Sequence, residues 1–267
     1  MKIGALIPIR LASERLPGKA LMDICGRPVV HHLLDRVSGS CHIADPRDVV
    51  ICTTTDATDD PLVPVVENYG CSVFRGAVDD LIRRFADAMA ANNFDVVLQA
   101  DGDDPLASTE YLDLATDRLL SDPTLDIVST VGLPLGINTK SFTRKGMDKV
   151  LAAYRTQHND TGFMHFFTKT GLCKHAEVGP LGPQHIQNTA RLTLDYDVDL
   201  EMFRLIFEGL YRPGKVFGLT ELVRFLNDHP EIIEINRHVS AEYWRRTAEK
   251  LHLEYVAADG AIVTITH

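Results

Sequence analysis

Along the first half of the chain, apolar positions alternate between two rhythms. Residues 3–9 form a continuous apolar run, as expected of a strand buried on both faces. From Pro28 to Val37 the apolar positions are Val29, Val30, Leu33, Leu34 and Val37, which is helical spacing. Residues 49–53 read as the next strand, and 59–69 as a helix with Pro61 tolerated in its first turn. A short strand over 72–74 precedes a helix over 79–91, whose first residues, Asp79 and Asp80, suit its positive end. A strand over 96–99, a helix over 109–120 and a strand over 126–131 follow. Such alternation predicts βαβ units: an α/β fold with a mostly parallel sheet and helices on both faces.

The pattern blurs after Gly132. Residues 132–189 are rich in Gly, Pro, Thr and His and read as a substrate-side insertion or small lid. Regularity returns with a strand over 191–194 and helices over 197–211 and 219–227. Asp259-Gly260 suggests a hairpin between 254–256 and 262–265. This organisation predicts one domain, with a core of about 1–131 and 190–238, the insertion, and an extension over 239–267.

Composition narrows the partners. The 267 residues carry 27 basic and 37 acidic side chains, a net charge of −10, which argues against a broad nucleic-acid or anionic-membrane surface. No apolar run approaches the roughly 20 residues that span a bilayer. Five cysteines with no C-x-x-C pair read as reduced thiols, hence an expected cytoplasmic location.

Against that acidic background, Arg10, Arg15 and Lys19 fall within ten residues, directly after the first buried strand. Ligands of open α/β sheets bind just beyond the carboxyl ends of strands, so these cations are placed to hold a polyphosphate, with Ser13 and the backbone near Gly18 as neutral donors. A solvated loop is the plainer alternative. A Walker A loop is excluded, because Ser13 and Ala20 stand where Gly and Ser or Thr are required, and no G-x-G-x-x-G occurs. A second candidate is Asp101-Gly102-Asp103-Asp104-Pro105, again at a strand end, whose carboxylates repel unless a cation joins them. Mg²⁺ is the natural guest of such oxygen ligands; a capping turn is the alternative. A third is Asp195-Tyr196-Asp197-Val198-Asp199, where a helix cap accounts for one acid well and for three poorly.

These residues resemble a known family. Pro8-x-Arg10-x-x-Ser13-x-Arg15-Leu16-Pro17-Gly18-Lys19 resembles the opening signature of the cytidylyltransferases that activate acidic sugars, among them the acylneuraminate and 3-deoxy-manno-octulosonate enzymes. The spore-coat polysaccharide branch is the nearest match. Its pattern continues at Phe74-Arg75-Gly76 with Asp79-Asp80 and Arg84, at Gly102-Asp103-x-Pro105-Leu106, at Arg191-Leu192-Thr193-x-Asp195 with Asp199-Leu200, and at Glu234-Ile235-Asn236-x-His238. The resemblance implies a Rossmann-like nucleotidyltransferase fold, CTP as donor, Mg²⁺ as cofactor and pyrophosphate as product. By position it implies Pro8, Arg10, Ser13, Arg15, Gly18 and Lys19 around the triphosphate, and Arg75, Gly76 and Asp79 near the nucleoside. Asp103 and either Asp195 or Asp197 would be metal ligands, with Asp101 an added carboxylate. The acceptor, an acidic sugar or another anion, is expected near Gly136 and Asn138 and the insertion histidines His158 and His165. Relatives of this family often pair, so a homodimer is expected. Two other readings of the same residues are a glycosyltransferase using Asp101-x-Asp103 for a nucleotide sugar, and a non-catalytic nucleotide sensor.

Overall fold

The computed structural model describes residues 1–156, 159 and 162–266. In chain order the strands and helices begin with β1 (Ile3–Pro8), a small ribbon of β2 (Asp23–Ile24) and β3 (Arg27–Pro28), and α1 (Val29–Ser38). Next come β4 (Val49–Thr54), α2 (Leu62–Tyr69), β5 (Ser72–Gly76), α3 (Leu81–Asn92), β6 (Val96–Gln99) and α4 (Thr109–Ser121). Then follow β7 (Ile127–Thr130), β8 (Lys140–Thr143), α5 (Arg144–Ala153), α6 (Met164–Thr168) and β9 (His175–Val178). The chain closes with α7 (Asp197–Leu210), α8 (Leu219–Asp228), α9 (Pro230–Glu234), α10 (Ser240–Lys250) and the hairpin β10 (His252–Val256) with β11 (Ile262–Thr266).

Seven strands form the central sheet in the order β5-β4-β1-β6-β8-β7-β9. All neighbours are parallel except β8, which is antiparallel to both β6 and β7. The two-residue period sorts side chains between the faces. Leu6, Val50, Cys52 and Val97 point to the face covered by α3, α5 and α6. Ala5, Ile7, Val49, Ile51 and Leu98 point to the opposite face, against α1, α2 and α4. Because both faces are covered, β1 is apolar without interruption, as read from the sequence, and β4 is buried along its whole length.

The structure differs from the sequence reading in three places. Residues 132–189 do not stand wholly apart from the sheet, because they supply β8 and the edge strand β9. Residues 191–194 are extended but form no sheet strand; a single bridge joins Arg191 to Leu135. Ahead of the expected hairpin the chain adds α10, and Leu253 and Tyr255 of the hairpin pack into the core beneath α3 and α5. Among the described residues no helix is long and apolar enough to cross a membrane.

Candidate active site

Parallel pairing of β1 with β6 sets their carboxyl ends side by side, so the loops leaving Pro8 and Gln99 must run together. Gly102 makes the approach close, since a Cβ there would lie 2.2 Å from the Pro8 carbonyl oxygen. The basic loop folds back on itself: Ser13 and Gly18 both donate their backbone N–H to the Leu11 carbonyl at 2.9 Å. Gly18 turns with φ +71°, a conformation that glycine adopts without strain. The buried Asp59 carboxylate fixes the base of this loop by accepting from the Leu11 N–H at 2.6 Å.

Lys19 ends the loop and points inward. Its Nζ donates to Asp103 Oδ2 at 3.1 Å, to Asp195 Oδ1 at 3.1 Å and to the Leu194 carbonyl at 2.7 Å. Arg15 Nη2 donates to the same Asp195 oxygen at 2.5 Å. Asp195 is thereby joined to cations 176 and 180 residues earlier in the sequence. Its own segment is pinned to the acidic loop, the Leu194 N–H donating to the Asp103 carbonyl at 2.8 Å. Gly136 permits this, because a Cβ at that position would stand 2.0 Å from the Leu192 carbonyl oxygen.

A buried bracket behind Asp195 holds it in place. Asp199 accepts the backbone N–H groups of Asp195 and Tyr196, each at 2.8 Å, and pairs with Arg191. Asn236 donates to Asp199 Oδ1 and to the Arg191 carbonyl, each at 2.8 Å. The recurring Arg191, Asp199 and Asn236 of the sequence pattern are therefore one structural unit.

These elements surround a cavity of about 410 Å³, lined by Pro8, Arg10, Ser13, Arg15 and Lys19 from the first loop and by Asp101, Asp103 and Asp104 from the second. Burial raises the Asp195 carboxyl above its ordinary range, reinforced by the like charge of Asp103 and opposed by Lys19 and Arg15. Burial also acts to raise Asp103, but the charge and hydrogen bond of Lys19 prevail and leave it lowered. Asp104 is pushed well up by burial and then by the charges of Asp103 and Asp101. Lys19 is raised: burial works against its charge, and the two carboxylates outweigh it. Of these three acids only Asp103 is held below its ordinary range, by Lys19. Asp103 and Asp195 offer carboxylate oxygens alone, a donor set that fits a hard divalent ion sharing phosphate oxygens.

Several expected residues lie elsewhere. Asp197 is exposed in the first turn of α7 and does not line the cavity, so of the two alternatives only Asp195 is in place. Asp101 lines the cavity but is tied to Lys140 Nζ at 2.6 Å. Arg75 supports the loop after β4, donating to the carbonyls of Thr54 and Asp56 and pairing with Asp60. Gly76 packs against Arg84, Asp79 is exposed, and neither lines the cavity. Gly136 acts on backbone packing, and Asn138 lies beside Thr130 at 3.4 Å. His165 sits on α6 outside the cavity wall, and His158 falls outside the described residues.

Other residues line the cavity without having been assigned to it. Arg84 reaches it from α3, where it also donates to the carbonyls of Ala77 and Val78 at 2.8 Å. Tyr243, Arg246, Thr247 and Lys250 reach it from α10. The Tyr243 ring lies 5.8 Å from the Arg15 guanidinium and 5.2 Å from that of Arg191, within cation–π range. Lys250 pairs with Glu14 of the basic loop at 3.1 Å. The spacing of Tyr243, Arg246, Thr247 and Lys250, one helical face, was the available signal.

Known proteins are similar to this chain in sequence and in fold. The spore coat polysaccharide biosynthesis protein SpsF of Bacillus subtilis is 26% identical over 85% of this chain and 94% of its own. The 3-deoxy-manno-octulosonate cytidylyltransferase of Pelobacter propionicus is 34% identical over 47% of each chain, a stretch of 125 residues. The structure of a cytidylyltransferase from Leptospira borgpetersenii superposes with a TM-score of 0.78 at 26% identity, covering 87% of this chain and 97% of that one. The family model described as cytidylyltransferase matches residues 4–165, from the first strand to α6 and through both the basic and the acidic loops. With more than half of its length matched and the fold shared, this chain belongs to the cytidylyltransferase family of nucleotidyltransferases.

Proposed function

We propose that the chain transfers CMP from CTP to an anionic acceptor, an acidic sugar or a related phosphate or phosphonate, and releases pyrophosphate. The observation that carries this reading is Lys19 bridging Asp103 and Asp195, which gathers basic and acidic loops onto one cavity. A nucleoside triphosphate with its divalent ion matches that mixture of charges.

The acceptor oxygen attacks the α-phosphorus in line, the bond to the bridging oxygen breaks, and that oxygen leaves with pyrophosphate. Arg10, Arg15 and Lys19 bear on the phosphate chain, and Ser13 and Pro8 line the same wall. Lys19 stabilises the charge that grows on the leaving group, the main help phosphoryl-type transfer requires from protein. Asp103 and Asp195 would hold Mg²⁺, which when bound supplies charge neutralisation of the phosphates. Lys140 restrains Asp101, which disfavours the reading of Asp101-x-Asp103 as a nucleotide-sugar site.

The acceptor is assigned to the wall formed by α10, where Arg246 and Lys250 supply positive charge. Among the described residues no histidine lines the cavity. An acceptor already ionised at its attacking oxygen needs no base, whereas a hydroxyl acceptor would draw on a carboxylate of the cavity wall.

Pyrophosphate release from CTP and Mg²⁺, measured across acidic sugars, phosphorylated metabolites and phosphonates, tests the proposal. Turnover with CTP and at least one such acceptor is expected. Absence of CTP binding, or tighter binding of a nucleotide sugar than of any triphosphate, overturns it.

A further inference from the structure

The loop after α1 runs at the edge of the sheet opposite the cavity, because it leads into the start of β4 whereas the cavity lies beyond the ends of β1 and β6. There Cys41 and His42 meet α4. A thiol sulfur of Cys41, a ring nitrogen of His42 and a carboxylate oxygen of Asp113 all lie within 4.8 Å of one another. We propose that these three side chains bind a transition-metal ion of the zinc class.

The donor set selects the ion. Thiolate, imidazole and carboxylate together are the ligands of Zn²⁺, whereas Mg²⁺ takes oxygen alone. At bond lengths of about 2.0–2.3 Å, ligand atoms around a tetrahedral zinc stand under roughly 4 Å apart, so the side chains need only small rotations. The residues come from two elements already fastened together. Thr109 of α4 donates to the Arg36 carbonyl of α1 at 2.8 Å. Ser40 Oγ donates to Asp113 Oδ1 at 2.5 Å, and the Cys41 N–H donates to the same oxygen at 3.2 Å. Asp113 is thus oriented from behind by the loop that carries the other two ligands. Asp117, one turn further along α4, lies 2.9 Å from His42 Nε2 and fixes the ring, the outer partner that metal-bound histidines commonly have.

Zinc binds the thiolate form of cysteine, so binding releases the thiol proton to solvent. The bound ion would staple the α1–β4 loop to α4, a structural role remote from phosphate chemistry.

The test uses untagged, metal-stripped full-length protein in excess Mg²⁺, titrated with Zn²⁺ and, for its spectrum, with Co²⁺. One tight equivalent is expected, with a sulfur-to-cobalt charge-transfer band and release of about one proton from the thiol. Cys41→Ser should remove the band and His42→Ala should weaken zinc binding by about 100-fold or more, while Asp117→Ala should cost about 10–100-fold. Cys25→Ser, at the other exposed cysteine, should change nothing. Melting curves of each metal-free variant separate lost ligands from lost fold. Absence of a tight zinc equivalent in the parent overturns the site, as does binding that survives both Cys41→Ser and His42→Ala. A charge-transfer band abolished by Cys25→Ser also overturns it.

Discussion

Replacing Lys19 with alanine leaves Asp103 and Asp195 facing the same space with no ammonium between them. The variant should lose about 10²–10³ in the rate of pyrophosphate release, the usual cost of removing one preorganised group from a charge-stabilising site. Asp195→Asn should be similarly damaging, whereas Asp197→Asn should leave turnover unchanged, since only the first side chain is buried in the site. Steady-state release of pyrophosphate distinguishes the pair. At this scale the sequence was informative about chemistry and less so about position. The acids of Asp195-Tyr196-Asp197-Val198-Asp199 are alike until it is known where α7 begins. Once Tyr196 is its cap, Asp195 turns inward, Asp197 outward, and Asp199 back onto the cap. Arg75, placed near the nucleoside by the resemblance alone, goes instead to the bare carbonyls of the loop after β4.

His32 provides a test unrelated to catalysis. It is buried on α1 against the rings of Phe207 and Tyr211, with Nε2 donating to the Ile24 carbonyl at 2.9 Å. Burial lowers its pKa, Arg27 and Arg36 adding to the effect while the Ile24 contact and Asp35 oppose it. The folded form therefore prefers neutral imidazole, and the unfolded chain takes up the proton first as pH falls below about 6.5. Stability should be full above that pH and decline as pH falls through the window beneath it. His32→Gln, which carries no titrating ring, should show a flatter dependence of melting temperature between about pH 7 and pH 5.

Among elements, the helices and strands of the first half were legible because burial on both faces makes their periodicity strong. Strand β8 was not. Its four residues, Lys140-Ser141-Phe142-Thr143, have little apolar character, and it pairs antiparallel with both β6 and β7, where βαβ alternation predicts parallel neighbours. Helix α10 was missed because none of its residues is fully buried, so its pattern reads as solvated charge. The turn at Gly136 offers an element-level prediction. Gly136→Ala meets a φ of +92° and a carbonyl where the methyl group would go, so the segment carrying Asp195 must shift. A destabilisation of about 1–3 kcal/mol by urea denaturation is expected from the backbone term alone, accompanied by lost turnover.

Across the whole molecule, the last residues are part of the main core. Leu253 is fully buried among side chains of α3, α5 and α6, and Leu253→Ala should cost about 2–5 kcal/mol, as a shift of the urea midpoint. The same segment delivers the cavity wall bearing Arg246 and Lys250, so stability and the shape of the cavity depend on one unit. The sequence showed that basic and acidic motifs occur in order; that they meet required the strand order, which parallel pairing across crossovers sets and no local window contains.

The bridge from Lys19 to Asp195 also imposes a timetable on synthesis. While a ribosome extends the chain, Asp103 follows Lys19 by 84 residues, but Asp195, which Lys19 shares with Arg15, follows only after 176. At typical elongation speeds of about 5–20 residues per second, that interval lasts on the order of ten seconds or more. Throughout it, Arg15 lacks the carboxylate with which it pairs in the folded chain. Assembly of the pocket therefore waits for the segment leading into α7, and the wall from α10 follows it.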